Sequence, residues 1–172
     1  MSDVPRVKKR YTLSKKESKQ LLNIIKDKYK ININKKSIIE KVEFNEFNIY
    51  IIDKKPMFVE IKKHGGIYPL LLYLVRTREK MVPEVRVDRG ASRAVGRGAT
   101  LMIPGVRSLD DFNEGDVVVV VDDETGIPVA VGIALLSSSD IRERLLGERR
   151  GRAVKIVLRP GDAVWRAAER LP

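Results

Sequence analysis

The segment that decides the fold spans residues 85–106 and reads VRVDRGASRAVGRGATLMIPGV. Its two ends, Val85–Val87 and Ala99–Ile103, are rich in strand-forming residues. Asp88 stands where the first run stops, and an aspartate in that place can cap a helix. The segment therefore predicts a strand, a short capped helix, a turn with glycines and a second strand.

Two kinds of residue recur between these strands, arginines at intervals of four and glycines. They are Arg89, Arg93, Arg97, Gly90, Gly96 and Gly98. Arginines four residues apart lie along one drifting face of a helical turn, where guanidinium groups can reach successive phosphates. Gly90 would let another backbone approach closely, and Gly96 and Gly98 are expected to supply positive φ after the helix. We interpret this segment as a phosphate groove.

The chain after this segment continues as short strands separated by turns. Strands are predicted at Val117–Val121, Val129–Leu135 and Ala153–Leu158, and the five consecutive valines of the first indicate burial on both faces. Asp122–Gly126 would join the first two as a hairpin. Ser137 begins a run of three serines that offers caps for a helix ending near Gly147. Such a pattern is typical of a compact barrel.

The chain before the segment has a different pattern. Ser14-Lys15-Lys16-Glu17 is a capping box followed by apolar residues at helical spacing, which predicts a helix over residues 15–29. Short strands are predicted at 38–44, 47–52 and 57–61, with Asp53-Lys54-Lys55-Pro56 as the last turn. Pro69 suits the first turn of a leucine-rich helix that leads into the second half.

Charge divides the chain in the same place and suggests its partner. The net charge is +11, and a polyanion is the default partner because cations held near phosphates gain Coulomb attraction and release counterions. Residues 1–66 hold 15 of the 17 lysines and residues 67–172 hold 15 of the 17 arginines, which indicates a boundary near residues 65–82. The N-terminal lysines either form a second basic surface or are an ordinary solvated helix face.

Further candidate contacts for a nucleic acid are Arg86, Arg152 and Lys155, which fall in or beside strands that could border the groove. The alternative is that the glycines close a tight turn and that the cations are plain surface charges. Phe112 and Trp165 are the only aromatic residues after residue 80, which argues against base stacking on a sheet. Recognition would depend on backbone, shape and arginine.

The sequence supplies little for catalysis. Gly96-Arg97-Gly98 begins like a dinucleotide-binding pattern, but position 101 is Leu. The acids at 110–116 and 122–124 fall in turns, where solvated carboxylates are more usual than Mg²⁺ ligands. His64, the one histidine, stands beside two glycines without the partners of a catalytic triad. We expect no enzyme activity, no catalytic residue, no cofactor and no bound metal.

Residues 82–159 resemble a PUA domain in the order and spacing of short motifs. These motifs are Val87-Asp88-Arg89-Gly90-Ala91, Gly98-Ala99, Met102, Pro104-Gly105-Val106, Gly115-Asp116-Val117, Val131-Gly132, Leu136-Ser137-Ser138 and Gly151-Arg152-Ala153-Val154. The first half is similar to the pre-PUA region of archaeal relatives of the malignant T-cell amplified sequence and translation-machinery-associated family. That similarity rests on Phe47-Asn48-Ile49-Tyr50, Pro56, Tyr68-Pro69 and the ending Gly161-Asp162-Ala163-Val164-Trp165.

The resemblance implies an α+β fold, with an N-terminal α/β pre-PUA domain at 1–81 and a PUA pseudo-β-barrel with short helices and a C-terminal extension at 82–172. It adds Ala91 to the candidate RNA contacts. It implies a non-catalytic RNA-binding protein of translation, acting on the small ribosomal subunit (rRNA) or tRNA in initiation or recycling, beside a partner of the density-regulated type. The alternative is an accessory subunit that docks RNA for a separately encoded RNA-modifying enzyme. No apolar run approaches the roughly 18 residues of a membrane span, so a cytoplasmic protein is expected.

Overall fold

A computed structural model describes residues 3–172. Contacts divide the chain into two compact units: Met1–Tyr73 together with Ala163–Pro172, and Leu74–Asp162. The predicted domain boundary between residues 81 and 82 stays a prediction. Within the described residues, every helix is too short or too polar to cross a membrane.

In chain order the elements are β1 (Lys9–Thr12), α1 (Lys15–Tyr29), β2 (Ile39–Glu43), β3 (Phe47–Ile52), β4 (Lys55–Ile61), β5 (Gly66–Pro69), α2 (Leu71–Thr77), β6 (Glu84–Val87), α3 (Arg89–Gly96), β7 (Leu101–Met102), a 3-10 helix (Ile103–Gly105), β8 (Val106–Leu109), β9 (Val117–Asp122), β10 (Pro128–Ala134), α4 (Ser138–Leu146), β11 (Arg152–Leu158) and α5 (Ala163–Glu169). The mixed fold agrees with the predicted α+β class.

The first unit is built on an antiparallel sheet with its strands in chain order, β1-β2-β3-β4-β5. Helix α1 occupies the predicted residues, and its capping box is present. Ser14 Oγ accepts a hydrogen bond from the Glu17 N–H at 3.1 Å, and the Glu17 carboxylate accepts one from the Ser14 N–H at 3.0 Å. The bond from the Ser14 N–H holds the pKa of Glu17 below its ordinary value. Leu21 and Ile25 bury the inner face of the helix.

The predicted four-residue turn between β3 and β4 is wrong. Asp53 and Lys54 have φ of 48° and 70°, so the turn has two residues and β4 begins at Lys55. Two central residues with positive φ match the twist of paired strands. Pro56 lies in β4 where the pairing register shifts, a position that tolerates a missing N–H. Pro69 likewise ends β5 instead of opening a helix.

The second unit contains a six-stranded sheet in the order β7-β11-β10-β9-β6-β8. Strand β6 pairs with β9 in parallel, and the other pairs are antiparallel. All residues of β9 are buried, as the valine run predicts. Val118 and Val120 are fully buried in the core of this unit, where each contributes roughly 1.5 kcal/mol or more. Helix α3 packs against β7, β9 and β10 and is thereby held on the sheet.

Candidate nucleic-acid interface

Asp88 fixes the beginning of α3. Its Oδ1 accepts a hydrogen bond from the Ala91 N–H at 2.8 Å, and its own N–H donates to the Gly105 carbonyl at 3.0 Å. A Cβ added at Gly105 would lie 2.5 Å from the Ala91 Cβ, so the helix start lies directly on the 3-10 segment. The predicted cap is confirmed. Ala91, a predicted contact residue, is half-buried and packs its methyl group against the core.

The three arginines of the predicted phosphate face are all exposed, but they differ in their surroundings. Arg89 and Arg93 lie in α3, whereas Arg97 is the residue that caps its end. Arg89 forms an ion pair with Glu124 at 3.0 Å. Arg93 and Arg97 form no ion pair with any side chain of residues 3–172. Two of the three guanidinium groups are therefore available to an outside anion.

Gly90, Gly96 and Gly98 differ in backbone conformation and in the space around them. At Gly98 φ is +94°, as predicted, and a Cβ there would lie 3.2 Å from Arg159 Cδ. The prediction of positive φ is wrong at Gly96, because α3 continues through that residue. Gly90 is exposed, and an added Cβ would meet only Asp88 Oδ1 at 3.5 Å. Neither packing nor backbone conformation within the protein requires a glycine at position 90.

The β9–β10 hairpin presents an acid to this helix. The Asp122 carboxylate accepts hydrogen bonds from the backbone N–H groups of Thr125 and Glu124 at 3.0 and 2.9 Å. The Thr125 bond is the main reason that the pKa of Asp122 lies below its ordinary value. The fixed turn places the Glu124 carboxylate against Arg89. An anion that binds Arg89 must therefore compete with a carboxylate of the same protein.

Arg86 is similarly occupied. It lies on β6, opposite Ser108 of β8, and its guanidinium group is 3.5 Å from Glu84 and 3.8 Å from Asp123. Two acids this close to one half-exposed arginine weaken its attraction for a phosphate. The structure therefore brings Arg86 and Arg89 to one acidic hairpin, which the spacing of the arginines could not reveal.

Arg152 and Lys155 lie on β11, away from α3 in the sequence. Arg152 stands opposite Met102 of β7, and Lys155 stands opposite Ile133 of β10. Both cations are exposed, and Met102 keeps 46% of its surface exposed beside Arg152. Strand β7 connects the two regions, because it pairs with β11 and packs against α3.

We use the term arginine patch for Arg93, Arg97 and Arg159. Gly90 lies at the opposite end of α3 from Arg97. Arg159 was not predicted. It follows β11 and reaches Gly98 from 61 positions further along the chain, so no local motif marks it. The close approach of its side chain to Gly98 places a further cation next to the residue that follows Arg97.

Two acids of the first acidic turn pair with cations of the protein. Asp110 forms an ion pair with Lys80 at 2.7 Å and accepts a hydrogen bond from the Glu84 N–H at 2.9 Å. Asp111 pairs with Arg142 at 2.6 Å. Within residues 3–172, no three histidine or acidic side chains gather in an arrangement that could hold a metal ion.

Comparisons with known proteins match both halves of the chain. Residues 83–158 match the family model described as PUA domain, and residues 9–77 match the one described as Domain of unknown function (DUF1947). An uncharacterized protein of Methanocaldococcus jannaschii is 34% identical over 166 residues, covering 92% of this chain and 96% of that protein. Translation machinery-associated protein 20 of Saccharomyces cerevisiae is 28% identical over 141 residues, covering 77% of this chain and 74% of that protein.

Solved structures agree with these matches. The crystal structure of a PUA domain from Aeropyrum pernix, a tartrate complex, is similar with a TM-score of 0.84 and 37% identity. That similarity covers 94% of this chain and 91% of the other. Both units of the fold are therefore accounted for by the same set of relatives.

Proposed function

We propose that this chain binds structured RNA without catalysing a reaction. The premise is that the chain belongs to the family in which a DUF1947 region precedes a PUA domain. The observation that supports this most is the arginine patch. Arg93 and Arg97 have no acidic partner within residues 3–172, and Gly90 leaves the start of the helix open. A sugar-phosphate backbone can approach at Gly90 and meet guanidinium forks along the helix.

The mode of recognition follows from what the second unit offers. Phe112 is the only aromatic residue between positions 74 and 162, and it is buried, with 7% of its surface exposed. Stacking of splayed bases, as on many single-strand-binding sheets, has no ring to use there. Phosphate contacts with an arginine-lined helix suit a folded RNA that is recognised by its shape.

We further propose a role in translation, on the small ribosomal subunit or on tRNA. Support comes from the yeast relative, whose name is Translation machinery-associated protein 20, and from the 77% of this chain that it matches. A protein partner of the density-regulated type belongs to the same proposal. The absence of a catalytic role is inferred from the sequence, which contains no recognised catalytic motif, and it is likewise a proposal.

The experiment is a salt-titrated affinity series on a folded tRNA transcript. Arg93→Ala and Arg97→Ala should each lower the magnitude of the log-affinity against log-salt slope by about 0.7–0.9, since each removes one phosphate contact. Arg170→Ala is the matched control, because Arg170 is an exposed arginine of the first unit. Its slope should equal that of the parent protein.

Gly90→Asp should weaken binding more than either arginine variant, because it adds a carboxylate where the phosphates would lie. Its effect on the fold is checked by thermal unfolding, because the new carboxylate is attracted by the start of the helix but repelled by Asp88, whose Oδ1 would lie 3.5 Å from the added Cβ. Gly90→Ala separates bulk from charge. If the arginine variants bind like the parent while Lys15→Ala and Lys16→Ala lose affinity, the RNA surface lies in the first unit instead.

A further inference from the structure

A groove in the first unit is not part of the proposed RNA-binding surface. It lies between α1 and the segment that connects α1 to β2, and it has a volume of about 690 Å³. Its wall along α1 runs from Lys15 to Lys26, a length of roughly 16 Å at the rise of a helix. We call it the lysine groove.

The floor of the lysine groove is aliphatic. Its apolar residues are Leu13, Leu22, Ile31, Ile33, Ile38 and Ile39. Leu13 and Ile39 are buried, but Ile38 keeps 65% of its surface exposed. A ligand that covers this exposed aliphatic surface would bury apolar area, and each Å² buried stabilises the complex by about 25 cal/mol.

The walls of the groove are fixed. Helix α1 begins at the capping box, and the Leu13 N–H donates to the Ile39 carbonyl at 2.8 Å. The connecting segment is held by side chains at two points. Asn34 Oδ1 accepts from the Lys36 N–H at 2.9 Å, and Asp53 Oδ1 accepts from the Ile38 N–H at 2.9 Å. A ligand would thus meet a groove that is already formed, which lowers the entropic cost of binding.

The rim of the groove carries one sign of charge. Its charged residues are Lys15, Lys19, Lys26, Lys35 and Lys36, and no acid lines it. Within the described residues none of these five lysines forms an ion pair. Like charges around a concave surface repel each other and concentrate the positive potential there. A ligand with carboxylates at its edges would relieve that repulsion.

We propose that the lysine groove binds an acidic amphipathic helix from a partner protein, with aliphatic side chains on the floor and carboxylates against the lysines. An apolar centre with a charged rim is the usual arrangement of a helix-in-groove interface. RNA fits less well, because a sugar-phosphate backbone has no apolar side chains with which to bury the aliphatic floor. The inference stands apart from RNA binding by the arginine patch.

The test uses the full chain and three fluorescein-labelled peptides of 14 residues. The first has leucines at helical spacing and glutamates elsewhere, the second has the same composition scrambled, and the third replaces the glutamates with lysines. Fluorescence anisotropy should show micromolar binding of the first peptide, at least tenfold weaker binding of the second and none of the third. Equal binding of the first and second, or no binding of the first, overturns the proposal.

Two matched pairs of variants locate the site. Ile38→Glu and Lys19→Glu should each weaken the first peptide about tenfold or more, because both residues line the groove. Ile24→Glu and Lys16→Glu should change its affinity less than twofold, since both are exposed outside the lining. Amide chemical shifts of the parent protein should move at groove residues on titration, which tests the site without any variant. Shifts elsewhere overturn the assignment.

Two competing occupants give different results. If the groove serves RNA, Lys19→Glu lowers the affinity for the tRNA transcript more than Lys16→Glu does, and the peptide proposal fails. If the groove takes a second copy of the chain, sedimentation shows a dimer that Ile38→Glu dissociates, and the proposal fails as well.

Discussion

Replacing Glu124 with glutamine (E124Q) removes the carboxylate that pairs with Arg89. The two side chains are 3.0 Å apart and expose 64% and 57% of their surfaces. Such an exposed pair contributes about 0.2–1 kcal/mol, and this is the energy with which Glu124 competes against a phosphate for the arginine. If Arg89 contacts RNA, E124Q should tighten binding by about 1.4- to 5-fold at low salt.

The salt dependence gives a second readout of the same change. Releasing Arg89 adds a cation to the interface, so the magnitude of the log-affinity against log-salt slope should rise by up to about 0.7–0.9. The gain should disappear when E124Q is combined with Arg89→Ala, because the carboxylate then has no arginine to occupy. Glu114→Gln is the control. It removes the same charge at the other end of β9, about 20 Å away along the strand.

The assay is fluorescence anisotropy with the tRNA transcript between low and physiological salt, with thermal unfolding as the check on the fold. Three results would refute the reasoning. The first is that E124Q binds RNA no tighter than the parent. The second is that E124Q gains as much affinity in the Arg89→Ala background, and the third is that Glu114→Gln gains as much affinity as E124Q. Either of the last two results would show that the change in affinity comes from the net charge of the protein and not from the pair of Glu124 and Arg89.

Three further predictions concern stability. Gly105→Ala should lower the free energy of unfolding by about 1–3 kcal/mol in denaturant titration, because its Cβ would lie 2.5 Å from that of Ala91; an unchanged midpoint would contradict the close packing. Asp122→Asn should destabilise the protein at neutral pH, because a carboxyl whose pKa is lowered by the Thr125 N–H stabilises the fold only while it is ionised. The difference in unfolding free energy between the variant and the parent should therefore shrink as the pH falls below about 4. A pH-independent difference would show that the charge is not involved. Ser14→Ala should cost about 1 kcal/mol through loss of the α1 cap, and Ser14→Gly should recover most of it.

The elements that the sequence predicts well are those whose signals are local. Helix α1 carries its own cap and apolar spacing, β9 is an unbroken valine run, and α3 begins at Asp88 as expected. The elements that were missed, β1, β5, β8 and α5, are short. Their residues become strand or helix because neighbouring elements pair with or pack on them, and such tertiary effects override weak propensities.

The candidate site divides in the same way. The sequence placed Arg93 and Arg97 on an exposed helical segment because their spacing and the Asp88 cap are local features. It could not place Glu124 against Arg89, or Arg159 beside Gly98, because those contacts join residues 35 and 61 positions apart. The capped helix and its exposed arginines were therefore predictable, whereas the opposing charges around them were not.

The first unit is discontinuous, and this affects how the chain can fold during synthesis. Its last element, α5, contributes the buried residues Val164, Ala167 and Ala168, and it is made only after the whole of Leu74–Asp162. Domains usually fold in the order in which they leave the ribosome. Here the second unit can close first, while the first unit waits for α5 with part of its apolar surface uncovered. A nascent chain halted before residue 163 should therefore be the species that needs a chaperone.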